Sequence, residues 1–518
     1  MSISIQDKTR IKNSIRNMVT SAGSQVLLGI VSFVGRTIFI AHLKTDLLGL
    51  NELFATVLYV LSLSELGIGT SITYALYAPL ARNDTAQIRT YMRFFKRVYS
   101  IVGIVIILLG ICFTPFIHNF VKTETPITHL ELYFLLYLFG VGMTYFFSYK
   151  QILLEADQKK YIPSFIICIA SIIQIIIQSV LVIVYKSYGL YILVFVFCNI
   201  AKNIVLGLIT NKTYPALKNK NEIVPLTKEQ YRSLKNNIKA MFLRKIGEVS
   251  IGSIDNILIS SFVGLSTLGL YANYQIILEA LRSALRVFYS SIAASIGNLC
   301  AVETKEKAYS AFTSLNFVNT LLFSYVSVLL VVLLQPTLTM WLGTTYLLDL
   351  STVILIAINF YLTGTRQMVL NYHAAYGLFW ADKYNPLAQA VINLSVSLLF
   401  VRKFGLDGIL LGTAISSLAT GIWIEPLVVY RFGFERPVRK YFFTYIKLLC
   451  VTIFIAVLTY TTTAWISFGR FGTFWAKLFF CIWLPPFCYF VVFRKNPDFK
   501  NLITLIKFNL VKNKRNSH

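Results

Sequence analysis

The chain has 518 residues, of which 56% are hydrophobic and only 14% charged, and its mean hydropathy is +0.67. Soluble globular chains carry about 25% charged residues, so this one cannot cover a water-soluble body of its size, and it holds too much apolar material for disorder. The 48 Lys and Arg against 22 Asp and Glu give a formal charge of +26. That charge lies in loops between apolar runs rather than on one face, which excludes nucleic acid as a partner. A polytopic membrane protein remains.

The polar, basic start from Met1 to Asn17 runs directly into a span too long to be the apolar region of a cleavable signal peptide. A helix crosses the hydrocarbon with about 20 residues. In chain order, apolar runs between charged and Pro/Gly-marked breaks predict spans at 17–42, 48–80, 94–120, 129–154, 161–185, 188–210 and 238–263. They continue at 268–299, 308–335, 351–378, 384–402, 406–430, 441–467 and 473–493. The expected fold class is therefore an all-α polytopic membrane protein of about fourteen transmembrane helices. The runs are continuous rather than alternating, which excludes a β-barrel.

Basic residues in short loops set orientation. One set of connections holds 34 of the 48 basic residues, from Lys8–Arg16 through Arg82–Arg97, Lys150–Lys160 and Lys202–Lys239 to Arg494–Arg515. The alternate set holds only Lys44, Lys122, Lys186, Arg402, Lys403 and Arg470. Both termini are expected on the cytoplasmic side. The seven cysteines all sit inside apolar runs, with no C-x-x-C pair or Cys/His cluster, and read as small buried hydrophobes rather than disulfides or metal ligands.

The two halves echo each other. Leu48-Gly49-Leu50 matches Leu268-Gly269-Leu270 at an offset of 220. Lys160-Tyr161-Ile162-Pro163 matches Lys383-Tyr384-Asn385-Pro386, and Lys186-Ser187-Tyr188-Gly189-Leu190 resembles Lys403-Phe404-Gly405-Leu406. Six spans separate the partners, so the copies are parallel, the arrangement of transporters that rock two lobes about a site. The expected organisation is an N-lobe at 1–210, a basic linker at 211–237, a C-lobe at 238–435, two further spans at 436–495 and a basic tail at 496–518. This makes two pseudo-symmetric six-helix lobes plus two C-terminal helices.

Charges inside spans need a reason, since each costs about 2.5–3.5 kcal/mol at the bilayer centre even on the permissive insertion scale. Lys447 and Lys477 lie near span ends and snorkel. Arg36, Arg244, Lys245, Arg282, Arg286 and Arg366 do not, and their acidic companions are Glu65, Glu248, Asp255 and Glu279, with Glu52 nearer the outer edge. Glu279, Arg282 and Arg286 fall at i, i+3 and i+7, and Arg244, Glu248 and Asp255 at i, i+4 and i+11, each set on one helix face. Four charged spans, the first, second, seventh and eighth, are thus expected to line a water-filled cavity between the lobes. That Arg244–Glu248 and Glu279–Arg282 are internal ion pairs holding helices together stays open. Arg36, Arg286 and Arg366 have no same-helix acid at favourable spacing. An arginine excess suits an anionic substrate, because guanidinium forks bind phosphate bidentately and stay charged in poor solvent. Arg36, Arg244, Arg282, Arg286 and Arg366 are the candidate substrate-binding residues. Glu65, Glu248, Asp255 and Glu279 are the candidates for ion coupling or pairing. No nucleotide-binding motif and no catalytic constellation appears, so neither an enzyme nor a cofactor is expected.

The stretch Leu48-Gly-Leu-Asn-Glu-Leu-Phe54, continuing through Leu63-Ser-Glu-Leu-Gly-Ile-Gly69 to Tyr74-Ala-Leu-Tyr-Ala-Pro-Leu80, resembles the second span of the Wzx-type polysaccharide flippases. These form a branch of the multidrug/oligosaccharidyl-lipid/polysaccharide exporter superfamily. Ile254-Asp-Asn256, Gly269-Leu-Tyr-Ala-Asn-Tyr274 and Ala294-Ser-Ile-Gly-Asn-Leu299 are similar too, and the resemblance covers nearly the whole chain. Arg36 falls where the related lipid II flippases carry a first-helix arginine, followed here by Thr37 rather than their Asp. The resemblance implies a V of two six-helix lobes with a cationic cavity. It implies translocation of undecaprenyl-diphosphate-linked oligosaccharide across a bacterial plasma membrane by alternating access, for a surface polysaccharide such as O-antigen or capsule. The expected partners are that substrate, membrane lipids, a coupling proton or sodium ion and a polysaccharide polymerase. Two competitors stay open: a cation-coupled multidrug exporter of the same fold, and a membrane-embedded glycosyltransferase or polymerase.

Overall fold

The computed structural model describes residues 5–62, 68–215, 227–228, 231–232 and 252–499. No strand occurs among them. The helices are α1 (Ile5–His42), α2 (Thr45–Leu61), α3 (Ile68–Ala81), α4 (Thr85–Phe113), α5 (Leu130–Ala156), α6 (Tyr161–Tyr185), α7 (Tyr188–Thr213) and α8 (Gly252–Val263). They continue with α9 (Leu265–Val302), α10 (Lys305–Trp341), α11 (Leu350–Thr365), α12 (Gln367–Ala375), α13 (Asn385–Phe404), α14 (Leu406–Ala419), α15 (Gly421–Val428), α16 (Arg439–Ala464) and α17 (Gly469–Phe493). Eleven helical segments of the described chain are long and apolar enough to cross a membrane. The expected spans at 48–80, 238–263 and 268–299 are not among these eleven: helices cover them, but α2 and α3 are each short, α8 is short in its described part, and α9 is long but more polar. This is an all-α polytopic membrane fold.

Helix ends follow local chemistry. Asp84 accepts a hydrogen bond from the Gln87 backbone N–H at 2.9 Å to cap α4, and Ser187 and Thr304 cap α7 and α10 in the same way. Within the spans, threonines return their hydroxyls to carbonyls of their own helix, as Thr210 does to Leu206, Thr452 to Leu448 and Thr459 to Ile455. In lipid, where no water can take a stray donor, this satisfies the group locally. The polarity pattern is that of a membrane body. Asn393 and Ser397 are fully buried, while Phe197, Leu399 and Phe454 are more than 60% exposed.

Two spans differ from their expectation. The run at 351–378 is broken at Arg366 into α11 and α12, and the run at 406–430 is broken at Thr420 into α14 and α15. Hydropathy is continuous across both breaks, so the sequence pattern does not register them. Most of the expected linker at 211–237, and residues 238–251 of the seventh span, lie outside the described residues.

The chain forms two compact units, Met1–Ala272 and Asn273–His518. In the first, α1 packs on α6, α5 packs on α4 and α7, and α6 packs on α7. The loop after α4 is tied to the turn between α8 and α9. The Lys122 N–H donates to Ser260 O at 3.0 Å, the Leu265 N–H donates to Lys122 O at 2.9 Å, and Lys122 Nζ reaches Phe262 O at 2.7 Å. Near this turn α2 crosses the start of α9 through two glycines. A Cβ on Gly49 would lie 1.9 Å from Leu265 O, and one on Gly269 would lie 2.4 Å from Thr45 O. The contact is reciprocal, since the repeat offset carries Thr45 to Leu265 and Gly49 to Gly269. Only glycine allows backbones this close.

In the second unit α10 is the central column, packed against α11, α16 and α17, while α13 pairs with α14 and α14 with α11. Phe317, Val328, Leu448, Ile455, Tyr489 and Phe493 form a core cluster that joins α10, α16 and α17. The two C-terminal helices are thereby fastened to this unit.

Candidate functional site

In the first unit, Arg36 of α1 meets Glu52 of α2. Arg36 Nη2 donates to Glu52 Oε1 at 2.9 Å, and the two side chains are 16% and 29% exposed. The other terminal nitrogen, Nη1, is buried with no hydrogen-bond partner among the described residues. Beyond the pair lies an aromatic group in which Phe39 meets Tyr191 edge-on at 5.0 Å and Tyr133 meets Tyr188 at 5.2 Å. On α8, Asp255 is buried, and its neighbour Asn256 donates from Nδ2 to Thr56 Oγ1 of α2 at 3.0 Å. Glu65, Arg244, Lys245 and Glu248 lie outside the described residues.

In the second unit, α9 carries the expected face. The Glu279 carboxylate lies between two guanidinium groups. Arg286 Nη2 is 2.5 Å from its Oε1, and Arg282 Nη1 is 3.8 Å from its Oε2. Arg286 also donates to Ser283 Oγ at 2.5 Å, and Arg282 to Gln275 Oε1 at 3.4 Å. All three charged side chains are open, with Arg282 40%, Glu279 52% and Arg286 61% exposed. One carboxylate against two guanidiniums leaves this face with a net positive charge, close to the middle of a 38-residue helix. A fork of this kind presents N–H donors in the plane that carboxylate or phosphate oxygens occupy.

Arg366 is different. It stands at the break between α11 and α12 and makes a two-pronged bond to Glu425 of α15, with Nε 2.9 Å from Oε2 and Nη2 bonded to Oε1. Both side chains are nearly sealed, at 12% and 6% exposed. Gly421 makes room, since a Cβ there would fall 2.2 Å from the guanidinium carbon. Asn319 of α10 supports the same break. Its Nδ2 donates to Thr365 O at 3.0 Å and to Gly364 O at 3.3 Å, and its Oδ1 accepts from the Tyr289 hydroxyl.

Arg36, Arg286 and Arg366 each have an acidic partner: Glu52 on the next helix, Glu279 two turns back on the same helix, and Glu425 on another span. For Arg36 and Arg366 the pair is made through tertiary packing, beyond the reach of spacing along one helix, which is how a span carries a charge without leaving it alone in lipid. Glu425 is absent from the expected set altogether. Its signal is an acid inside the apolar run Trp423-Ile-Glu-Pro-Leu-Val428, visible once every acid within a span is matched against every base.

No protein-family profile and no curated protein sequence matches the chain. Solved structures do match. The chain is similar to a lipid II flippase, MurJ, in an inward closed conformation, with a TM-score of 0.64 and 13% identity over 92% of this chain and 99% of that one. It is also similar to a multidrug resistance MATE family transporter of the MOP superfamily in its inward-facing conformation, with a TM-score of 0.61 and 13% identity over 80% of this chain and 98% of that one. An outward-facing structure of a MATE family transporter of the same superfamily gives a TM-score of 0.51 and 13% identity, over 82% and 96%. At these identities the likeness is one of fold, shared with these flippase and transporter structures.

Proposed function

We propose that this chain is a flippase of the bacterial plasma membrane that carries undecaprenyl-diphosphate-linked oligosaccharide units to the outer leaflet by alternating access, for a surface polysaccharide. The reading rests on the open Arg282–Glu279–Arg286 face of α9. A guanidinium pair kept exposed in the middle of a span is costly in lipid and useful only where an anion meets it. The diphosphate displaces Glu279 from between the two forks, exchanging one acceptor for a more highly charged one while the polyprenyl tail stays in the bilayer. A fold shared with a lipid II flippase supports a lipid-linked substrate. Arg36, held by Glu52, and Arg244 of the expected seventh span are the further candidate positive charges, with Arg366, nearly sealed against Glu425, the least accessible of the set. Among the acids, Asp255, Glu248 and Glu65 are the candidates to couple a proton or sodium ion, and a polysaccharide polymerase receives the product. The test is transport of a fluorescent polyprenyl-diphosphate sugar in proteoliposomes. Arg282→Ala with Arg286→Ala abolishes it at unchanged protein level, and a wild-type rate in that variant overturns the assignment.

A further inference from the structure

The second unit contains an apolar crevice of about 490 Å³ between α10, α11, α14 and α16. Its floor is buried, formed by Val328 of α10 together with Ala357 and Leu362 of α11. Its rim is not. Ile354, Leu418, Ile453 and Val457 are 39–58% exposed, and on membrane-spanning helices such side chains meet lipid, so the crevice opens onto the hydrocarbon. The polar atoms in its lining belong to Ser327, Tyr361, Thr452 and Tyr460. Thr452 already spends its hydroxyl on Ser324 and the Leu448 carbonyl. No charged side chain lines it. Selective sites carry placed polar groups that choose one ligand, and this lining has too few to choose a headgroup, so mass action in the bilayer decides the occupant.

The position of the crevice gives that occupant a consequence. Leu362 lies one turn before the break at Arg366, and Leu418 two residues before the break at Thr420. A chain in the crevice thus presses on both interrupted spans beside their interruptions, which the Arg366–Glu425 pair links to each other. We propose that the crevice holds one acyl chain of a bilayer phospholipid, and that this chain buttresses the two broken spans. The proposal is independent of what the protein transports.

The full chain is tested in nanodiscs of phosphatidylethanolamine and phosphatidylglycerol containing a trace of phospholipid with a photoactivatable diazirine in its acyl chain. Labelling is expected within 350–362 and 449–460, and it is expected to survive detergent exchange that strips label from the lipid face of α6. Ala357→Phe with Ala456→Phe fills the crevice and abolishes the retained label, whereas Leu399→Phe, on a lipid face elsewhere, keeps it. Crevice label that exchanges as readily as that on α6, or that persists in the filled variant, overturns the proposal. So does displacement of the phospholipid by a trace of diazirine-bearing polyprenyl phosphate. If the filled variant does not fold, native mass spectrometry of the wild type decides, and loss of every phospholipid adduct on mild delipidation overturns the site. The buttress is read from melting. Delipidation lowers the wild-type melting temperature and leaves the filled variant unmoved, and a wild type indifferent to delipidation removes that half of the proposal.

Discussion

Glu425→Ala is a severe single change in the second unit. Glu425 is 6% exposed and receives both prongs of Arg366, so its removal leaves a guanidinium facing packed helices with no anion. At a charge separation of about 4 Å and an effective dielectric near 20, the lost attraction is about 4 kcal/mol. Removing one partner of a buried pair costs about 3–5 kcal/mol, which agrees. At about 2–4 °C per kcal/mol for a unit of this size, the melting temperature falls by roughly 6–20 °C. Arg366→Met with Glu425→Leu restores most of the loss, because an apolar replacement of both partners leaves no uncompensated charge. The assay is thermal unfolding of purified protein in one detergent, measured for wild type, each single variant and the pair. Glu425→Ala melting with the wild type, or a double variant whose loss equals the sum of the singles, refutes a buried, coupled ion pair.

Gly49→Ala is expected to lower stability by about 1–3 kcal/mol through overpacking, since its Cβ meets the Leu265 carbonyl and not a movable side chain. Gly29→Ala on α1, with nothing within 4 Å, is expected to gain up to about 1 kcal/mol of helix propensity. Equal melting shifts for the two would contradict the close crossing. Asn319→Leu strips the Thr365 and Gly364 carbonyls and the Tyr289 hydroxyl of their shared partner, at about 1–3 kcal/mol for each group left unsatisfied, and is read by the same melts. At the end of α7, burial and then the Asp157 carboxylate, which accepts the Tyr214 hydroxyl at 2.5 Å, hold the Tyr214 phenol well above its ordinary value. A raised folded value means the tether is whole below about pH 10, where an unfolded phenol titrates, and fails as pH rises through the folded value. The melting deficit of Tyr214→Phe should therefore be constant near neutrality and shrink in strong alkali. A deficit that does not change with pH removes the tether.

What the sequence made legible is what depends on neighbours along the chain. Apolar run length predicted spans such as α5, α6 and α16 closely, and the i, i+3, i+7 spacing put Glu279, Arg282 and Arg286 on one face of α9, where they interact. What it hid depends on contacts distant in sequence. Arg36 and Glu52 are 16 residues apart and Arg366 and Glu425 are 59 apart, and no helical period relates either pair. The breaks at Arg366 and Thr420 were hidden for a related reason. A helix interrupted within an apolar run looks continuous to hydropathy, and the groups that make the Arg366 break tolerable, Asn319 and Glu425, come from other spans.

The meeting of Gly49 with Gly269 carries a mechanical consequence. Helices that interlock through side chains must change rotamers, or drag neighbours, before they can separate. Here backbone rests largely on backbone, with each glycine set against a carbonyl one turn before the other. Nothing is threaded through anything else. Sliding of one helix on the other at this seam therefore requires few rotamer changes, with the Thr45 methyl the side-chain group nearest to Gly269. It is a junction that holds by fit alone.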